Sequence, residues 1–243
     1  MQQPTLLQSL RDRIAQIEGG VRRHPSLPFG LDAIDRHLPG GGIAAGALHE
    51  VAGSPELADD AAATIFLAGI LARFEGPVFW CLRWRDLFAP ALHLAGLHPD
   101  RVIFVEAGSD TNVLAAIEEC LRHEGLGGVV GEVKTVTSTA TKRLQLAAEK
   151  SGVPAFILRR AAKADGKSGG SAATTRWRIQ AAPSERLDIP TLSRPRWSVS
   201  LERVRGGDPH LWTVEGCDAQ GRIALPADLV DRPAAQEDRQ AAA

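Results

Sequence analysis

Gly46-Ala47-Leu48-His49-Glu50-Val51-Ala52-Gly53-Ser54-Pro55-Glu56-Leu57-Ala58-Asp59-Asp60-Ala61 decides how this 243-residue chain is read. Ala47 to Val51 predicts a short strand, Gly53 opens a tight turn, and Ala58 to Phe74 predicts a long apolar helix. Strand, glycine turn and helix is the layout of a phosphate-binding loop, whose working form is Gly-x-x-x-x-Gly-Lys-Ser/Thr. Counted from Gly53, the last three places hold Ala58, Asp59 and Asp60. The lysine that should meet a phosphate is a carboxylate.

Upstream, Leu6, Leu7, Leu10, Ile14 and Ile17 fall at helical spacing, and Gly19-Gly20 ends the stripe. That helix either packs on the main domain or docks on another subunit. Downstream, buried strands are expected at Pro77 to Leu82, Arg101 to Val105, Gly128 to Val133 and Pro154 to Leu158. Helices are expected at Leu87 to Ala95, Asn112 to His123 and Thr139 to Lys150. Strands alternating with helices argue an α/β fold with a mostly parallel sheet covered on both faces. Ala161 to Thr175 is small, polar and glycine-rich, and is expected to be mobile. Three β-type runs follow, Thr175 to Ala181, Trp197 to Arg203 and Leu211 to Glu215, and should add antiparallel strands to the same sheet. The expected organisation is an N-terminal helix within 1–25, one α/β domain over 26–225, and a patternless tail over 226–243.

Composition sets limits on function. Hydrophobic residues make up 44% and charged residues 23%, ordinary for a globular protein, and the net charge of −1 draws the chain to neither nucleic acid nor membrane. Basic residues nevertheless outnumber acids between Arg159 and Arg205, so a local basic face is possible. Three widely spaced cysteines fit reduced thiols rather than a disulfide framework or zinc site. Met1-Gln2-Gln3-Pro4 begins no signal peptide, and no apolar run approaches the ~18 residues of a membrane span. A cytoplasmic protein is expected.

Gly30-Leu31-Asp32-Ala33-Ile34-Asp35 and Gly40-Gly41-Gly42-Ile43, placed just before the strand and turn, are similar to the lead-in of RecA-type recombinases. The resemblance continues along most of the chain and is closest to the ImuA family, degenerate RecA relatives of bacterial mutagenesis cassettes. His49-Glu50-Val51-Ala52-Gly53, Val130-Gly131-Glu132-Val133, Thr175-Arg176-Trp177-Arg178-Ile179-Gln180 and Arg203-Val204-Arg205-Gly206-Gly207 carry it. It implies a RecA-like core. It places Glu132 where active relatives keep a metal-associated acid, and Arg85 near their water-activating glutamate, with Asp86 as the neighbouring candidate. Glu132 could equally cap a strand end.

A phosphate loop works because backbone N–H groups and a helix N-terminus surround an anion that lysine neutralises. Asp59 and Asp60 suit an empty helix start, stabilising its dipole by ~0.3–1 kcal/mol, and would repel a triphosphate. The missing lysine and the added repulsion should each cost about a few kcal/mol of nucleotide affinity. No catalytic residue, cofactor or metal is therefore expected at Gly53, Ala58, Asp59, Asp60 and Glu132, which read as a degenerate phosphate loop with a vestigial acid. His93 and His98 lie too close to Pro99 to form a metal pair on one helix.

The resemblance implies a non-catalytic accessory role in the SOS response. The expected partners in translesion synthesis are RecA, an ImuB-type protein and an error-prone C-family DNA polymerase. Leu7, Leu10 and Ile14 on the N-terminal helix, and Arg176, Arg178, Arg203, Arg205 and Trp212 on the C-terminal strands, are the candidate partner contacts. Trp177, Trp197 and Trp212 also read as core residues. Three alternatives stand: a SulA-like division inhibitor, a residual ATP-binding protein, and a weak single-stranded-DNA binder using arginine with exposed tryptophan.

Overall fold

The computed structural model describes residues 24–160, 170–184 and 194–226. The expected N-terminal helix with Leu7, Leu10 and Ile14, most of the 161–175 loop and nearly all of the tail lie outside the described residues.

The chain enters through a two-stranded antiparallel ribbon, β1 (Ser26–Leu27) and β2 (Ile43–Ala44), which encloses the short helix α1 (Asp32–Asp35). Neither ribbon nor α1 was expected from periodicity, since each is too short to show one. The Asp35 carboxylate takes the backbone N–H groups of Phe29, Gly30 and Leu31 at 2.7, 2.8 and 3.1 Å. That closes the turn before α1.

The main sheet follows. Its strands are β3 (Leu48–Ala52), β4 (Val78–Leu82), β5 (Val102–Glu106), β6 (Gly128–Val133), β7 (Ala155–Arg159), β8 (Thr175–Ala182), β9 (Arg196–Val204) and β10 (His210–Glu215). Across the sheet they run β10-β9-β8-β3-β7-β6-β4-β5. The pairs from β8 across to β5 are parallel, and β9 and β10 add antiparallel pairs at one edge. The connecting helices are α2 (Leu57–Ala72), α3 (Ala89–Leu94), α4 (Asp110–Cys120) and α5 (Ser138–Ser151). Each expected strand and helix of the core is present, with ends moved by no more than three residues.

Strand alternation sorts the core into two layers. Val130, Phe156 and Leu158 face α2 and α3, whereas Val129, Val133 and Ile157 face α4 and α5. Trp177, Ile179, Trp197, Val199, Trp212 and Val214 continue the α2 layer across the antiparallel strands. Apart from the exposed Leu211, their outward neighbours are polar, so β8 to β10 bury one face only. α2 is apolar almost throughout, and Phe66, Leu67, Ile70 and Leu71 are buried. A Cβ at Gly69 would stand 2.3 Å from Cys217 Sγ, so glycine there lets the C-terminal segment cross the helix. Among the described residues no helix is long and apolar enough to cross a membrane.

Candidate functional site

The C-terminal ends of the parallel strands carry the site, as in open α/β sheets generally. β3 ends at Ala52, and the turn from Gly53 leads into α2. A Cβ on Gly53 would stand 2.6 Å from the backbone of Asp59, so only glycine allows this close approach of turn and helix. Arg178 Nη1 donates to the Gly53 carbonyl at 2.9 Å, while its Nε pairs with Glu202 at 2.5 Å. One of the expected partner arginines thus clamps the turn itself.

Asp59 and Asp60 do different things. Asp59 is only 8% exposed, and its Oδ1 accepts the backbone N–H of Ala181 on β8 at 2.7 Å. The side chain in the lysine position ties the helix start to the sheet. Asp60 turns toward β7 and β6, where Arg160 follows the last residue of β7. Arg160 Nη1 reaches Asp60 Oδ2 at 2.9 Å and Thr64 Oγ1 at 3.0 Å, and its Nε reaches Glu132 Oε2 at 2.8 Å. Trp80 Nε1 donates to the other Glu132 oxygen at 2.6 Å. Burial works against the charged guanidinium, but Glu132 and then Asp60 outweigh it and hold Arg160 above its ordinary value. Both oxygens of Glu132 are therefore engaged by protein donors, and the residue is buried in β6 rather than exposed at a strand end.

Beside this network lies a cavity of about 490 Å3. Asp60, Glu132 and Arg160 form its polar end, and Leu57, Trp84, Leu87 and Phe88 its apolar wall. Arg85 stacks 5.5 Å from the Phe104 ring, and Asp86 is exposed at the cavity rim. Arg83 pairs with Asp110 at 3.6 Å without a hydrogen bond.

The remaining expected partner residues are placed unevenly. Arg176 is turned inward, with its Nε 3.0 Å from the buried Glu50 carboxylate, which also accepts the Ser171 hydroxyl. Arg203 and Arg205 are exposed and donate to the Ser171 and Ala172 carbonyls at 2.5 and 3.5 Å. Trp212, expected at a partner surface, is 7% exposed: its ring packs near Trp177, and its Nε1 donates to the Ala33 carbonyl at 2.9 Å.

Arg160 and the apolar wall escaped the sequence reading. Arg160 sits directly after a buried strand, a signal for a strand-end functional position, but its partners lie far away in sequence. Trp84 and Phe88 lie in the segment after another buried strand, β4, two and six residues beyond its end at Leu82.

No family model matches the chain. Protein ImuA of Caulobacter vibrioides strain NA1000 / CB15N is 39% identical over 230 residues, covering 89% of this chain and 93% of that protein. Protein ImuA of strain ATCC 19089 / CIP 103742 / CB 15 matches with the same figures.

Proposed function

The chain belongs to the ImuA family, and from that premise we propose that it is a non-catalytic accessory protein of DNA damage-induced mutagenesis. It assembles with an ImuB-type protein, an error-prone C-family polymerase and RecA in translesion synthesis. The strand order, with crossovers on both faces and an antiparallel edge, supports a RecA-type scaffold under that role.

One observation carries the non-catalytic reading. Arg160 is held by Asp60 and Glu132, so the cation beside the first turn of α2 is already neutralised from within. Asp59 meanwhile spends its charge on the β8 backbone. A triphosphate would meet two carboxylates and no lysine. The protein then contributes shape and surface, not turnover.

Calorimetry of the full chain with ATP–Mg2+ tests this directly. No saturable heat at millimolar nucleotide is expected. Tight binding would end the reading. Retention of RecA and an ImuB-type protein on the immobilised chain tests the assembly. Removal of residues 175–225 is unsuitable as a control, because β8 and β9 bury Trp177 and Trp197 beside Phe66 of α2, and β10 buries Trp212 against α1. Point changes at Arg203 and Arg205 serve instead.

A further inference from the structure

We propose that the cavity between α2 and α3 is a docking groove for a short, uncharged, apolar segment of a partner protein. The inference rests on the accessory reading for its cellular meaning, and on geometry for the groove itself.

Leu57 is 85% exposed, Trp84 57% and Phe88 70%, and all three line one cavity. Three large apolar side chains held in solvent around one concavity are costly to maintain and mark an interaction site. Each comes from a different local setting: Leu57 from the first turn of α2, Trp84 from the loop after β4, and Phe88 from the start of α3. Leu87 and Leu92 deepen the same wall.

Area and charge select the occupant. The three side chains expose roughly 400 Å2 together, at about 150–250 Å2 for a large side chain. A stable protein–protein interface needs about 800 Å2 from each partner. A partner held by these three side chains alone falls short of a folded-domain interface and fits a linear segment with one or two anchoring side chains. The charged residues of the lining are Asp60, Asp86 and Glu132 against Arg83, Lys134 and Arg160. They balance, and Arg160 is consumed by Asp60 and Glu132. A strongly charged segment gains nothing here, whereas a leucine, phenylalanine or tryptophan can enter the apolar end.

The chain carries its own reporter. Trp80, Trp177, Trp197 and Trp212 are buried, so iodide quenching of tryptophan emission reads Trp84. The experiment is selection of short random peptides displayed on phage against the full chain, followed by titration of the selected peptides with quenching as readout. The expected peptides carry large apolar side chains and no net charge, and they shield Trp84. Ala61→Phe, which fills the cavity from an exposed helix position without adding a tryptophan, and separately Phe88→Ser should each weaken binding about tenfold. Selection that yields no peptide sensitive to either variant overturns the proposal, as does a set of strongly charged peptides. So does a Trp84 already shielded in the full chain and uncovered by deleting residues 1–23, which would assign the groove to the chain's own N-terminal segment. A dimer abolished by Ala61→Phe would assign it to a second copy and overturn the proposal as well. ATP–Mg2+ is added as a separate arm: shielding of Trp84 by nucleotide would sink the accessory reading, whatever the peptides do.

Discussion

Arg160 Nη1 lies 2.9 Å from Asp60 Oδ2, across 100 residues of sequence, and this pair ties the first turn of α2 to the end of β7. The pair is only about one-fifth exposed on each side, so solvent screens it weakly. Glu132 completes the cluster from the next strand.

Arg160→Met should therefore be strongly destabilising. It leaves Glu132 and Asp60 without their cation, and removal of one member of a buried pair costs about 3 kcal/mol or more. Calorimetric unfolding should show a fall of roughly 6–12 °C in Tm. Adding Glu132→Gln should recover part of the loss, because the stranded charge disappears. Additive losses would show that the pair contributes nothing.

Asp59→Ala removes the acceptor for the Ala181 N–H and an acid from the first turn of α2. A loss of about 1–2 kcal/mol in urea unfolding is expected. Asp59→Asn keeps an acceptor oxygen and should retain more than half of the stability. An unchanged midpoint in both variants would mean that Asp59 is not a tie between helix and sheet.

His49 gives the fold an acid limit. It is fully buried, its Nε2–H donates to the Ala44 carbonyl at 2.9 Å, and its Nδ1 accepts the Thr175 hydroxyl at 2.7 Å. Burial lowers its pKa from 6.5 to about 4, against a smaller opposing effect of the Ala44 hydrogen bond. The unfolded chain takes up a proton near pH 6.5 and the folded chain only near pH 4. The stabilisation is thus complete above pH 6.5 and falls as the pH drops through that window, by ~3 kcal/mol in total. Unfolding midpoints between pH 8 and 4.5 should show this slope, and His49→Gln should flatten it while lowering stability at pH 8.

Glu50→Gln weakens the buried Arg176 pair and should loosen the chain where it enters β8. Amide exchange at residues 171–176 is the measurement, with protection falling there first. A loss of about 3 kcal/mol overall is expected from the breaking of such a pair. Uniform loss of protection would place the effect in the whole sheet instead.

Arg203→Glu with Arg205→Glu changes an exposed face and should alter stability by no more than about 1 kcal/mol. Retention of RecA or an ImuB-type protein should fall severalfold if these arginines contact the partner. Undiminished retention of both proteins removes this face from the assembly. Arg176 and Arg178 are unsuitable for the same purpose, because each is bound to a carboxylate inside the chain.

Local pattern was enough for the core elements. Strand runs such as Gly128–Val133 and Trp197 within β9 were legible because a strand between two helical layers must be apolar throughout, and one with a bare outer face must alternate. The missing loop lysine was legible too, since Asp59 stands at that position whatever the chain does elsewhere. What the tryptophans do was half legible: Trp177, Trp197 and Trp212 read equally as core or interface residues, and packing beneath α2 and α1 makes them core. Arg160 could not be assigned from sequence, because its role depends on β6, β7 and the start of α2 meeting at one end of the sheet. The exposed wall of Leu57, Trp84 and Phe88 belongs to the same class. Periodicity records which face of an element is buried, a local property. Pairing of distant charges, and gathering of apolar side chains around one cavity, are set by strand order, which only the crossovers of the folded chain decide.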